Sequence, residues 1–283
     1  MFAPDQYQLI DFGEGRRLER FGPLRLDRPC PAAEKASRLA PTAWREIDAR
    51  FERTGPEQGR WDRKRDLPLR WTIRHGPIVL ELKLTDFGHL GVFPEQADNW
   101  DWIASRVAAG PPLLRVLNLF AYTGASTLAA AAAGAQVTHV DAARNTVAWA
   151  RRNAELSGMA GRPIRWIAEE ALKFVRRELK RGNRYDAVIL DPPSYGHGPR
   201  GEVWRLSKHL PRLLEMCAEL TAGSRQFMLL TCHTPDYDAA RLERMLLDSL
   251  GDDPRGRTSA VEMTIRAASG RLLPSGVAVR WEK

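Results

Sequence analysis

Two patterns of apolar and polar positions divide the chain. Over the first hundred residues the apolar positions come in short alternating runs broken by glycine and proline, the period of half-buried strands. Runs at 7–12 and 17–21 flank Gly13-Glu14-Gly15, with glycines where a hairpin turn needs positive φ. Runs at 69–75 and 78–84 bracket Gly76-Pro77 in the same way. Between these pairs lies an arginine-rich stretch in which 42–53 is expected to form a helix. A further helix over 99–109 must stop at Gly110-Pro111-Pro112, because proline removes a backbone donor and clashes with the preceding turn.

Beyond that stop, strands and helices alternate. The pattern predicts strands at 114–119, 136–140, 164–167, 185–190 and 226–230, and helices at 125–133, 143–157, 170–180, 202–221 and 236–250. Such regular alternation is the signature of a parallel sheet wrapped by helices. Apolar runs at 261–267 and 277–281, joined through Gly270 and Pro274-Ser275-Gly276, make a terminal hairpin in place of one more crossover helix. The fold expected is α/β, a seven-stranded Rossmann-like sheet with a C-terminal β-hairpin, preceded by a small β-rich N-terminal domain. The domains are read as 1–98 and 99–283.

Composition narrows the classes. With 43% hydrophobic and 28% charged residues over 283 positions, disorder as the main state is excluded. The longest apolar tract, the alanines at 129–133 with their flanks, falls well short of the ~20 residues that span a bilayer. No basic stretch precedes an apolar one at the start of the chain, so the expected compartment is the cytoplasm. Cys30, Cys217 and Cys232 are too scattered for a disulfide framework, and neither they nor the histidines show metal-ligand spacing, so no metal is expected. The net charge of +8 is unevenly spread: residues 1–110 hold 18 basic against 17 acidic side chains, residues 111–283 hold 25 against 18. The stretch 144–184 carries most of that excess, and RNA is a partner it suits. Against this, 36 of the 43 basic residues are arginine, a bias that also raises arginine on ordinary solvated faces.

Chemistry gathers at the predicted strand ends, where open parallel sheets bind ligands. The first strand runs through Asn118-Leu119 into Phe120-Ala121-Tyr122-Thr123-Gly124 and straight into a helix. One glycine is too few for a loop closing on a pyrophosphate, whereas a nucleoside without phosphates tolerates the bulk of Phe120, Tyr122 and Thr123. The second strand ends at Asp141, where a carboxylate can accept both hydroxyls of a ribose, and the third at Glu169-Glu170-Ala171, within reach of an adenine amino group. Each acidic residue alone reads equally well as a helix cap. Their succession points to an adenosine-containing cofactor. The fourth strand ends in Asp191-Pro192-Pro193-Ser194-Tyr195, where two prolines force an extended turn that turns polar groups toward a site.

Together, the run at 118–124, Asp141, Glu170 and Asp191-Pro192-Pro193-Ser194-Tyr195 resemble the class I S-adenosylmethionine-dependent methyltransferases. More narrowly the chain is similar to the bacterial large-subunit ribosomal RNA methyltransferases that make 5-methylcytosine and 7-methylguanine. The resemblance extends to the segment 88–96, with Asn99 and Trp100, and to Gly201-Glu202-Val203-Trp204; a PUA domain like that of the 5-methylcytosine enzymes has no counterpart, and Trp100 replaces an arginine. It implies S-adenosylmethionine held by Gln96, Phe120, Ala121, Tyr122, Thr123, Gly124, Asp141, Glu170, Ala171 and Asp191. It places the RNA base against Asp191, Pro192, Pro193, Ser194 and Tyr195. The fifth strand end, Thr231-Cys232-His233, matches the position of the 5-methylcytosine nucleophile. Thiolate addition at C6 would make cytosine C5 a competent methyl acceptor. A buried, inert Cys232 is the competing reading. Two other functions stay open: transfer to a nitrogen of a nucleobase or protein side chain without an adduct, and a cofactor-binding RNA-associated factor without catalysis.

Overall fold

The computed structural model describes residues 1–55, 58–198, 201–251, 253 and 255–283. They form two compact units, Met1–Asp98 with Thr264–Ser275, and Asn99–Met263 with Gly276–Lys283. The first unit thus gains a piece of the C-terminal hairpin that the sequence pattern alone leaves with the second.

In the first unit β1 (Tyr7–Gly13), β2 (Arg16–Phe21), β3 (Leu24–Pro29), β4 (Ala49–Arg53) and β5 (Gly59–Arg63) make a five-stranded sheet in chain order, and β6 (Trp71–His75) pairs with β7 (Ile78–Leu82). The helix expected over 42–53 is absent: Ala43–Arg45 is a single 3-10 turn and Ala49–Arg53 is strand β4. Buried Ala49 and Phe51 alternate with half-buried Arg50 and Glu52, the period of a strand, and β4 finds partners in both β3 and β5. The core of this unit is partly ionic. Glu19, fully buried, accepts from Arg28 at 2.8 and 2.7 Å and from Tyr7 Oη at 3.0 Å, with Arg17 at 3.2 Å. A buried carboxylate is tolerated only with such saturation. Within the same unit Arg271 donates to Asp11 Oδ1 at 2.8 Å, while Asp11 Oδ2 accepts from Trp44 Nε1 and two backbone N–H groups.

The second unit follows α1 (Ala97–Ala109) with β8 (Arg115–Leu119), α2 (Ala125–Ala132), β9 (Gln136–Asp141), α3 (Arg144–Leu156), β10 (Ile164–Ala168), α4 (Ala171–Lys180) and β11 (Ala187–Leu190). The ribbon β12 (Tyr195–His197) and β13 (Val203–Arg205) comes next, then α5 (Leu206–Leu220), β14 (Phe227–Cys232), α6 (Ala239–Leu250), β15 (Arg257–Arg266) and β16 (Leu272–Glu282). The sheet order is β10-β9-β8-β11-β14-β16-β15, seven strands closed by an antiparallel hairpin as the sequence predicts. From β8 the chain first builds outward to β9 and β10, then returns to lay β11 on the other side, so the order reverses between β8 and β11. Ligands of open α/β sheets bind outside the carboxyl ends of the strands at such a switch point. Strands β11 and β14 are buried along their whole length, which anchors the residues at their ends. Helix α5 begins at Leu206, not 202, because Val203–Arg205 is drawn into pairing with Tyr195–His197.

Candidate active site

The turn after β8 is built from unusual backbone. Phe120, Tyr122 and Gly124 take φ of 56°, 48° and 90°, a left-handed conformation that costs energy at the two non-glycine positions. Surrounding contacts hold it there. Asp141, at the end of β9, accepts Tyr122 N–H at 2.9 Å on one carboxylate oxygen and Ala143 N–H at 3.0 Å on the other. Asn153, buried on α3, donates to the Thr123 carbonyl at 2.9 Å. Gly124 opens α2 where a Cβ would lie 3.1 Å from Ala150 Cβ, so helix α3 and the left-handed φ both demand glycine.

Beneath this turn runs a buried polar chain. Asn118 Nδ2 donates to Thr127 Oγ1 at 2.9 Å, and Thr127 Oγ1 lies 2.9 Å from His139 Nδ1. Burial lowers the His139 pKa to about 3, so the ring is neutral at physiological pH, and it packs on Trp166 at 4.8 Å between centroids. These polar side chains fasten the beginning of α2 to the middle of the sheet.

The carboxylate of Asp141 has capacity left. Burial pushes its carboxyl above the usual range, against the pull of the two backbone donors. Each oxygen accepts one hydrogen bond and keeps a second lone pair, and a vicinal diol supplies two further donors. The residues thus fit the ribose of an adenosine-type cofactor. Glu170 is an N-cap in this fold: its two oxygens accept Leu172 N–H at 3.0 Å and Lys173 N–H at 2.8 Å. Glu169 is engaged by Arg177 at 3.0 and 2.6 Å. Ala171 is buried at the first turn of α4. Gln96 belongs to the other compact unit, buried on the 3-10 turn Pro94–Gln96.

At the ends of β11 and β14 the polar groups face outward. Asp191 Oδ1 accepts from Thr231 Oγ1 at 2.6 Å and lies 3.5 Å from His233 Nε2, and the two side chains are 30% and 38% exposed. Ser194 Oγ and Thr234 Oγ1 share a hydrogen bond of 2.6 Å. The Pro193 carbonyl accepts from Trp204 Nε1 at 2.7 Å, and Trp204 packs at 4.9 Å against the Phe120 ring. One indole therefore braces the proline turn against the turn after β8. Tyr195 is exposed and Pro192 is buried. Cys232, by contrast, is 1% exposed and belongs to the apolar cluster between the sheet and helices α4, α5 and α6. Burial pushes its thiol up and neighbouring Asp191 adds to this, against hydrogen bonds from Thr234. Among the described residues no group of three or more His, Cys, Asp or Glu is placed to hold a metal ion.

Asn153, Thr127 and His139 were not expected at the site, and Asn118, Thr231 and Thr234 stood in its strand-end motifs without a role. Asn118 and His139 carry a faint signal, being polar residues inside otherwise apolar strand runs. Asn153 sits in an arginine-rich helix, where nothing marks it.

The family model of S-adenosylmethionine-dependent methyltransferases matches residues 56–239. Among solved structures, the chain is similar to the SAM-dependent methyltransferase from Agrobacterium tumefaciens, with 36% identity and a TM-score of 0.94 over 100% of this chain and 91% of that one. It is also similar to the ribosomal RNA large subunit methyltransferase K/L of Hahella chejuensis, 33% identical over 143 residues that cover 50% of this chain and 19% of the relative. The ribosomal RNA large subunit methyltransferase I of Aeromonas salmonicida is 32% identical over 146 residues, 47% of this chain and 36% of that relative. The chain thus spans well under half the length of these two relatives.

Proposed function

The chain belongs to the S-adenosylmethionine-dependent methyltransferase family, and from that premise we propose that it methylates a nitrogen of a nucleobase in ribosomal RNA, without a covalent adduct. The cofactor supplies an electrophilic methyl group. In this reading the 120–124 turn and Asp141 hold its nucleoside, Ala171 borders the adenine, and Glu170 adds a spare lone pair while capping α4.

The observation that carries the acceptor assignment is the contrast between Asp191 and Cys232. Asp191, half-buried, lies 3.5 Å from His233, and Ser194 and Thr234 share a hydrogen bond at the same two strand ends, a set of acceptors and donors suited to the polar edge of a base. The Cys232 thiol is sealed in the core with its ionisation disfavoured, the opposite of what a nucleophile needs. Pro192, Pro193 and Tyr195 complete the acceptor side as a stiff rim held by Trp204. RNA as substrate draws on the names of the two relatives and on charge. Arg144, Arg151, Arg162, Arg176, Lys180 and Arg184 are exposed, whereas Arg177 is committed to Glu169, and Arg165 and Arg181 to Glu178. The exposed cations give a phosphate-attracting face. A ribosomal RNA acceptor puts the work of the enzyme in the cytoplasm.

Incubation with labelled S-adenosylmethionine and ribosomal RNA from cells lacking the protein tests the reading. Label is expected on an N-methylated nucleoside. Label on 5-methylcytosine, with trapping of the protein on RNA containing 5-fluorocytosine, would return the role of nucleophile to Cys232; absence of label from RNA would remove the substrate.

A further inference from the structure

The amino ends of β8, β9 and β10, the sheet edge opposite the 120–124 turn, frame an open cleft of about 440 Å³. Its lining follows from strand register. Arg115 stands beside Gln136 and Arg165 beside Thr138, and alternate residues of β9 share a face, so all four lie on one face of the sheet. Arg162, in the loop before β10, and Tyr185, just before β11, complete the set. Thr138 and Tyr185 are buried with their hydroxyl oxygens 3.5 Å apart, whereas Gln136 and the three arginines are exposed. Among the described residues no carboxylate lines the cleft.

Three guanidinium groups around one cleft repel one another unless an anion joins them. Little in the fold takes up their charge. Among the described residues Arg115 and Arg162 make no ion pair. Arg115 packs on the Tyr185 ring at 5.3 Å, and it is its backbone N–H, not its side chain, that donates to Asp186 at 2.8 Å. Arg165 lies 3.5 Å from the buried Glu178, outside the usual hydrogen-bond range, and 5.7 Å from the centre of the Phe174 ring, so its N–H donors are left over. Glu178 is shared with Arg181 at 3.6 Å, one carboxylate between two cations. The positive charge continues along α4, which runs from the carboxyl edge to the amino edge because it joins the end of β10 to the start of β11. Arg176 and Lys180, four residues apart, are exposed on one side of that helix, and Arg184 follows in the turn before β11.

We propose that this cleft binds the phosphodiester backbone of the substrate RNA a few nucleotides from the methylated base, with Arg115, Arg162 and Arg165 as donors to phosphate oxygens. This rests on the RNA reading above, but not on which atom of the base is methylated. The forked donors of guanidinium match phosphate oxygens, and strand positions fix where two of the three forks start. Five-residue β8 separates the two edges by roughly 15 Å. A phosphate held in the cleft therefore belongs to a different nucleotide from the one at the carboxyl edge, and its contact positions the chain without reading sequence. A free phosphate or mononucleotide shares this chemistry; the line of cations along α4 favours the longer chain.

The test compares two variants of the full chain. One combines Arg115→Gln with Arg162→Gln, which leaves both partners of Glu178 in place; the other, a control of equal charge change, combines Arg212→Gln on α5 with Arg244→Gln on α6, both exposed. Affinity for ribosomal RNA from cells lacking the protein is expected to fall ~10-fold in the cleft variant, with the slope of log affinity against log salt lower by about 1. The control should move affinity by no more than about threefold, and both variants should keep wild-type thermal midpoints and S-adenosylhomocysteine affinity. In methyl transfer the cleft variant should show a raised KM for RNA at unchanged kcat. Equal losses in the two variants, or an unmoved salt slope, would reduce the cleft to bulk charge and overturn the proposal. Binding of inorganic phosphate or adenosine monophosphate that disappears in the cleft variant, while RNA affinity stays at the wild-type value, would show a small-anion site and overturn RNA as the occupant. Wild type that leaves ribosomal RNA unlabelled would instead remove the RNA reading, and this proposal with it.

Discussion

The carboxyl edge of the seven-stranded sheet has two halves that solve different problems. At β8 and β9 the site is made of backbone in left-handed conformations held by buried polar side chains, Asp141, Asn153 and the chain from Asn118 to His139. At β11 and β14 it is made of side chains that reach the surface wholly or in part, exposed Ser194 and His233 with half-buried Asp191 and Thr234, beside a turn stiffened by proline and by Trp204. The first half can recognise one ligand shape, because its donors and acceptors are locked before anything binds. The second presents chemistry that a few substitutions would change.

Exchanging what each half depends on should separate them. The largest effect is expected at Asp141. Asp141→Ala removes the anchor of the 120–124 turn together with the proposed ribose acceptor, and affinity for S-adenosylmethionine should fall ~100-fold or more by titration calorimetry, since charge-assisted hydrogen bonds contribute roughly 1.5–3 kcal/mol each. Unchanged affinity in a folded variant would take Asp141 out of the site. Asp191→Ala should do the reverse, leaving cofactor affinity within about threefold while turnover falls ~100-fold or more. A matching loss of cofactor binding would show that the halves are not separable.

His139 sharpens the contrast through pH. Its folded pKa of about 3 lies below the ~6.5 of an unfolded histidine. A depressed histidine stabilises the fold fully above pH ~6.5 and loses that contribution as pH falls toward 3, at up to ~1.4 kcal/mol per pH unit. His89 in the first unit, lowered to about 4 by burial, acts in the same direction. Thermal midpoints should therefore decline between pH 7 and 4.5, and His139→Asn, which cannot titrate, should decline less steeply. Parallel curves for the two proteins would show that the buried ring does not couple folding to protons. The smallest effect is expected at Cys232: Cys232→Ala should cost on the order of 1 kcal/mol in stability and leave transfer near wild type, whereas abolished transfer with intact cofactor binding would restore the thiol as nucleophile.

The sequence disclosed the two halves unequally. Strand and helix periodicity gave the α/β alternation and the closing hairpin, and Phe120 to Gly124, Asp141 and Asp191 stood out because they follow apolar runs directly. What escaped was decided by partners remote in sequence. Phe51 reads as part of a helix until β3 and β5 flank it, and Val203 until Tyr195–His197 pairs with it. Glu170 is in position as a strand-end carboxylate, but only the fold shows that its oxygens cap α4. For Cys232 the motif is compatible with nucleophile and packed thiol; its burial, which depends on α5 and α6 covering the sheet, is what the proposed reading draws on and what sequence alone does not disclose.

The acceptor proposed for this enzyme is a nucleobase nitrogen of ribosomal RNA. Mass-spectrometric mapping of ribosomal RNA nucleosides in a strain lacking the protein, beside its parent, tests it most directly. One N-methylated nucleoside is expected to disappear from a single position and to return with the wild-type chain; loss of a 5-methylcytidine instead, or an unaltered ribosomal RNA, would overturn the nitrogen acceptor.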